Sequence, residues 1–264
     1  MFMTLANLAA IATYIGAAFG LARWPAPGQR RNFCLGLLGV AVAAHAAGLW
    51  PSTVMADGLN FSVFNAGSLV AWCIALAILV LLLKLRPVES LAVAVLPLVA
   101  AAVVVELAFP NTRNVIADVP AGLRLHIALA IVAYSLFAIA TLQAFFLAFA
   151  DRKLRRHQPV LHFLPPLPAM EAVMFQLTLM AFVLLTVSLA LGAIYTADIG
   201  AQHLAHKIVF SVLAWLVFAT LVAGRWYFGW RGRHAIRYVT AGFVLLALAF
   251  FGTKIVLELI LGRI

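Results

Sequence analysis

Residues 61–87 read FSVFNAGSLVAWCIALAILVLLLKLRP, and this stretch decides the fold. From Phe61 to Leu83 no side chain carries a formal charge. About 20 largely apolar residues are enough for a helix to cross the hydrocarbon core of a bilayer, so the run predicts a membrane span. Lys84 and Arg86 follow at once, and Pro87 closes the segment before a new apolar run begins near residue 90.

The same pattern continues in both directions. Apolar runs fall at roughly 4–22, 33–50, 61–83, 90–109, 122–150, 171–195, 204–227 and 236–262. Prolines punctuate the connectors: Pro25 and Pro27 follow the first run, Pro51 ends the second, and Pro110 ends the fourth. Pro159, Pro165, Pro166 and Pro168 fill the connector before the sixth. Pro97 lies inside the fourth run, where packing against neighbouring helices re-satisfies the freed backbone groups. Composition agrees, since 66% of the 264 residues are hydrophobic and only 10% are charged. A soluble domain carries about a quarter charged residues, so the solvent for this fold is lipid. The expected fold is all-α, a polytopic bundle of eight transmembrane helices forming a single membrane domain over 1–264.

The net charge of +10 then becomes a statement about orientation. Loops after the first, third, fifth and seventh runs hold 13 of the 18 basic residues, from Arg23, Arg30 and Arg31 through to Arg231, Arg233 and Arg237. Basic loops stay in the cytoplasm, so both termini are expected outside. The first run has no positive segment before it, and its first charge, Arg23, follows the apolar stretch; it reads as a retained span rather than a cleaved signal. The basic excess therefore predicts no nucleic-acid partner; the partner it faces is membrane lipid.

Once that basic face is accounted for, few ionisable groups are left. Under this topology His45, His126, His203, His206, Lys207, Lys254, Glu106 and Glu258 all fall on the outer side. Ionisable groups in spans are costly and each calls for a role or a partner. Imidazole is a common axial ligand of heme iron, so His126 and His206 are the candidate metal ligands, with His45 and His203 as further heme contacts. Arg124, Lys207 and Lys254 are candidate partners for acidic groups such as heme propionates. Each residue also has a plain reading. The histidines serve equally as interfacial hydrogen-bonding groups, Lys254 pairs with Glu258 four residues on, and Glu106 pairs with one of the cations. His157, His162 and His234 sit among basic inner residues and read as solvated. Trp24, Trp50, Tyr195, Trp226, Tyr227 and Trp230 lie near span ends, as an aromatic belt does. Gly16 and Gly20 form a GxxxG that suits close helix contact. Cys34 and Cys73 form no CxxC, and no CxxCH, P-loop, GxSxG or HExxH occurs.

The order of motifs in the later part of the chain carries a resemblance. Leu125-His126-Ile127 opens a span that continues through Ala133-Tyr134-Ser135, and the next span ends Gly192-Ala193-Ile194-Tyr195. His206-Lys207 leads into a span with Trp215, followed by Gly229-Trp230-Arg231-Gly232-Arg233-His234-Ala235 and by Phe251-Gly252-Thr253-Lys254. Over about residues 60–262 this resembles the cytochrome c assembly protein family of the CcsA and CcmC type, nearest its eight-span, YpjD-like inner-membrane branch. The resemblance implies heme as cofactor, histidine ligation near the outer face of a bacterial inner membrane, and apocytochrome or other assembly proteins as partners. His126 matches the first of the family's flanking histidines. The family's W-x-W-D-P-K-E segment is replaced at 195–208 by YTADIGAQHLAHKI, where Lys207 matches the lysine and His203 and His206 are the nearby imidazoles. Binding and delivery of heme need no catalytic residue. A transporter for another substrate, or a structural accessory subunit without heme, fits the same spans.

Overall fold

A computed structural model of the chain describes residues 2–23, 29–55, 58–84, 88–109, 115–116, 120–157, 164–195 and 202–252. Eight of its helices are long and apolar enough to cross a membrane, as expected. They divide into two compact units, Met1–Val119 and Pro120–Ile264.

The first unit contains α1 (Phe2–Arg23), α2 (Gln29–Thr53), α3 (Val63–Lys84) and α4 (Glu89–Ala108). Each helix packs on the next, and α4 returns to α1, which closes a four-helix bundle. Small residues let the backbones approach: Ala10, Ala17, Ala41 and Ala75 are fully buried. The GxxxG pair lies at the α1–α2 contact. A Cβ on Gly20 would come within 2.6 Å of Cys34 Sγ, and one on Gly16 within 3.1 Å of Leu37 Cδ2. Helix α2 runs through Pro51 to Thr53, two residues past the stop that proline suggested. At the other end of the bundle Arg31 bonds Glu89 Oε1 at 3.0 Å and also donates to the Leu82 carbonyl in the last turn of α3. A cation there complements the negative end of the helix dipole.

One feature of this unit was not expected. Short strands β1 (Val54–Met55), β2 (Gly58–Asn60) and β3 (Val115–Ile116) form an antiparallel sheet in that order, with Val54 opposite Leu59 and Leu59 opposite Ile116. They follow α2, precede α3 and follow α4, so they cap one end of the bundle. Pairing satisfies backbone groups where the chain must turn at the edge of a low-dielectric region. Two- and three-residue strands leave too short a hydropathy pattern to be seen in sequence.

The second unit contains α5 (Ala121–Arg155), α6 (Leu167–Tyr195), α7 (Gln202–Phe228) and α8 (Arg233–Ala247). Again each helix packs on the next, and α8 returns to α5. Phe137 of α5 stacks on Phe218 of α7 with ring centroids 3.7 Å apart, and Gly242 of α8 leaves room for the Phe218 ring. The last apolar run was expected to be one helix over 236–262. A span is found at Arg233–Gly252, with α8 passing into a π-helical turn at Leu248–Gly252, and residues 253–262 lie outside the described ones. The wider turn brings the consecutive residues Phe250 and Phe251 to Tyr134, at 5.8 and 5.7 Å, beside Phe243 at 5.2 Å.

Candidate functional site

Helix α5 starts after Pro120, whose carbonyl accepts the first turn's hydrogen bond from Arg124 N–H. The ring of His126, in the next turn, lies against α6. Its Nδ1 is 2.6 Å from the Ser188 carbonyl oxygen and 3.1 Å from Ser188 Oγ, and that hydroxyl donates in turn to the His126 carbonyl at 3.0 Å. A carbonyl oxygen only accepts, so Nδ1 carries the ring proton. In the neutral imidazole Nε2 then holds the free lone pair. No hydrogen bond to Nε2 is formed within the described residues. An imidazole oriented through Nδ1–H to a backbone carbonyl is the usual arrangement of a metal-ligating histidine.

Two glycines make this approach possible. Gly192 lies one turn beyond Ser188, and a Cβ there would come within 2.9 Å of His126 Cε1. At the same helix ends the Tyr195 ring occupies the space that a side chain on Gly122 would take. Ser188, Gly192 and Gly122 were not singled out in sequence as members of a site. The Gly-Ala-Ile-Tyr ending was the nearest signal, since it placed Gly192 and Tyr195 on one helix face.

The other candidates distribute as follows. Arg124 is exposed, Lys207 is half-buried, and each already engages another residue. The backbones of His203 and His206 belong to the start of α7. Their side chains, together with Lys254 and Glu258, lie outside the described residues.

His45 is in the first unit. It is fully buried, with Nδ1 at 3.2 Å from Tyr14 Oη and Nε2 at 3.0 Å from Ser68 Oγ, so both ring nitrogens are engaged. Among the described residues Glu106, expected to meet a cation, is hydrogen-bonded to a hydroxyl. Ser52 Oγ lies 2.9 Å from its Oε1, and Oε2 has no hydrogen-bond partner among the described residues. Ser52 further reaches Asn65 Oδ1 at 3.1 Å, and Asn65 Nδ2 donates to the Asn60 carbonyl at 2.6 Å. Tyr14, Ser52, Asn65 and Ser68 went unremarked in sequence. Asn65 and Ser68, three apart within an apolar run, were the available signal, since that spacing puts both on one helix face.

The Gly-Trp-Arg-Gly stretch forms the turn between α7 and α8. Gly229 and Gly232 take φ of +63° and +54°, a region that favours glycine. Trp230 N–H donates to the Gly224 carbonyl at 3.1 Å, and its ring packs directly on Gly224 and 5.0 Å from Tyr238. Arg225 locks the turn. It donates to the Trp230 carbonyl at 3.1 Å and to Glu171 Oε1 at 3.2 Å, with its guanidinium 4.4 Å above Phe175.

Comparison with known proteins agrees with this motif order. The family model described as cytochrome C assembly protein matches residues 36–261. The chain is 33% identical over 229 residues to inner membrane protein YpjD of Escherichia coli strain K12, covering 84% of this chain and 85% of that protein. It is 36% identical over 143 residues to an uncharacterized 28.8 kDa protein of Azospirillum brasilense, covering 52% of each. No solved structure matches it significantly.

Proposed function

We propose a heme-handling role for this chain, which belongs to the cytochrome C assembly protein family. It is an integral inner-membrane protein with eight helices able to span the bilayer. Family membership supports a part in the biogenesis of c-type cytochromes. The finer reading is that the second unit holds heme near the outer face through His126, and passes it on to apocytochrome or to other assembly proteins.

One observation carries this reading: the Nδ1–H of His126 is committed to the Ser188 carbonyl, which leaves Nε2 as the ligating atom. The donor chemistry therefore fits heme. When bound, heme supplies an iron whose axial positions accept imidazole nitrogen. Within this chain, Ser188 holds the His126 ring in one tautomer, and Gly192 leaves the space the ring occupies beside α6. His206, near the start of α7, is the candidate second ligand, with His203 close by. Arg124, Lys207 and Lys254 are the cations proposed to meet propionates. His45, with both nitrogens bonded, is assigned no iron.

The test is the absorption spectrum of the detergent-purified protein before and after addition of heme. The expected result is a Soret band that His126→Ala abolishes or shifts, and that His206→Ala shifts. Absence of a Soret band after heme addition to folded protein overturns the heme reading. An unchanged spectrum in both variants overturns the ligand assignment alone.

A further inference from the structure

The end of the second unit where α5 stops and α8 starts is independent of the heme reading, and it carries more positive charge than the chain can balance. Arg155 Nε donates to both carboxylate oxygens of Asp151, four residues back on α5, at 3.0 Å. Arg233, the first residue of α8, brings its Nε to 3.7 Å from Asp151 Oδ2. That is ion-pair range but too long for a hydrogen bond. One carboxylate thus gathers two guanidinium groups from two helices, and both arginine side chains are 62% exposed. The Nη groups of Arg155 and every N–H of the Arg233 fork bond nothing among the described residues. Arg237, one turn along α8 from Arg233, is exposed and has no ion pair among the described residues.

The sequence itself limits the acids that could answer these cations. Of the eight acidic residues, Asp151, Glu171, Asp198 and Glu258 belong to the second unit. Glu171 is bonded to Arg225. Asp198 follows the far end of α6 in sequence, and Glu258 follows Gly252 by six residues. Gly252 is 19 residues beyond Arg233, roughly 29 Å along a helix, and six residues span at most about 20 Å. The connector from Arg156 to Pro166 contains no acid, and neither does the turn Gly229–Gly232. In the first unit Glu89 is bonded to Arg31, and Asp118 precedes the start of α5, the opposite end of that 35-residue helix from Arg155.

We propose that Arg155 and Arg233 hold the phosphate of an anionic phospholipid headgroup, with Arg237 beside them. A phosphodiester presents two non-bridging oxygens, and guanidinium forks match that geometry better than ammonium groups do. The level of the site argues for a lipid over a soluble anion. Trp226, Tyr227 and Phe228 end α7 as three consecutive exposed aromatic residues, and only the turn Gly229–Gly232 separates them from Arg233. Leu154, next to Arg155, is also exposed. Exposed rings and an exposed leucine belong at the boundary between acyl chains and headgroups, so the arginines beside them stand at phosphate level. A headgroup with its own ammonium leaves the excess charge uncorrected, which favours an anionic lipid over a zwitterionic one. The bound phosphate joins α5 to α8 from the side that Asp151 leaves open. The assignment holds for whichever leaflet this end meets.

The experiment is native mass spectrometry of the full-length protein, delipidated in mild detergent and offered equal amounts of phosphatidylglycerol and phosphatidylcholine. Phosphatidylglycerol should bind in preference. Arg155→Ala and Arg233→Ala should each weaken it about fivefold, the size expected of one arginine at a charged membrane surface, and the double variant should lose the preference. Lys84→Ala, which removes an exposed cation at the end of α3, should leave it unchanged. Monodisperse elution and unchanged helical circular dichroism certify folding of each variant. No preference in the wild type, a preference that survives the double substitution, or an equal loss in Lys84→Ala overturns the site. Displacement of the lipid by inorganic phosphate at matched concentration assigns the arginines to a soluble anion and overturns the lipid reading.

Discussion

His126 Nδ1 lies 2.6 Å from the backbone carbonyl of Ser188, a bond between α5 and α6 that no side-chain substitution at Ser188 deletes. The chemistry of the imidazole is therefore set by the path of the α6 backbone. The position of the ring is set by the absence of a side chain at Gly192.

Gly192→Ala should displace the His126 ring and weaken heme binding. The added Cβ would come within 2.9 Å of Cε1. In a helix interior alanine is intrinsically favoured over glycine by about 1 kcal/mol, so loss of binding would not reflect a helix weakened by the exchange. Ser188→Ala is the companion, since it keeps the carbonyl and should leave the spectrum near wild type. Heme titration of both variants checks this, and equal binding by Gly192→Ala would refute it.

Gly48→Ala should destabilise the first unit. A Cβ at Gly48 would collide with the Asn7 amide, which is fully buried and makes no hydrogen bond among the described residues. The expected cost is about 1–3 kcal/mol, as for overpacking elsewhere. Asn7→Gly in the same chain should recover most of it, and thermal unfolding of the two single variants and the double variant measures the coupling. Additive losses would disprove the contact.

Gly224→Ala should loosen the turn between α7 and α8. The Trp230 ring occupies that space and cannot retreat easily, because Arg225 holds the Trp230 carbonyl at 3.1 Å. A loss of about 1–3 kcal/mol is expected, with faster protease cleavage between Phe228 and Arg233. Trp230→Ala should relieve the clash when combined with it. A double variant no more stable than Gly224→Ala alone would argue against this packing.

The expectation that both termini lie outside, drawn from the basic loops, predicts a labelling pattern. With Cys34 and Cys73 replaced by alanine, a cysteine at Ile194, which is 70% exposed, should react with a membrane-impermeant maleimide in spheroplasts. One at Arg231 should react only after lysis. The reverse pattern would invert the topology.

The spans were legible because each is a local property. The stretch from Phe61 to Leu83 announces a helix by its own length and apolarity, and α3 at Val63–Lys84 agrees within two residues. The sheet was not legible, because β3 pairs with β2 from more than 50 residues away and each strand has three residues or fewer. Of the proposed heme site, His126 stood out as an imidazole at a span start, whereas Ser188 and Gly192 did not. A serine in an apolar run carries no mark of which backbone will lie across from it.

Sequence alone thus determined the class of fold, the number of spans and which few polar groups demanded explanation, since lipid imposes those through composition and length. Only the tertiary structure decided what each polar group became. His126 and His45 look alike as single histidines near the ends of apolar runs. One meets a carbonyl that can only accept, and its Nε2 has no hydrogen bond among the described residues; the other lies between two hydroxyls and has both nitrogens engaged. That difference is one of hydrogen-bond partners across helix contacts, which residue order does not encode locally.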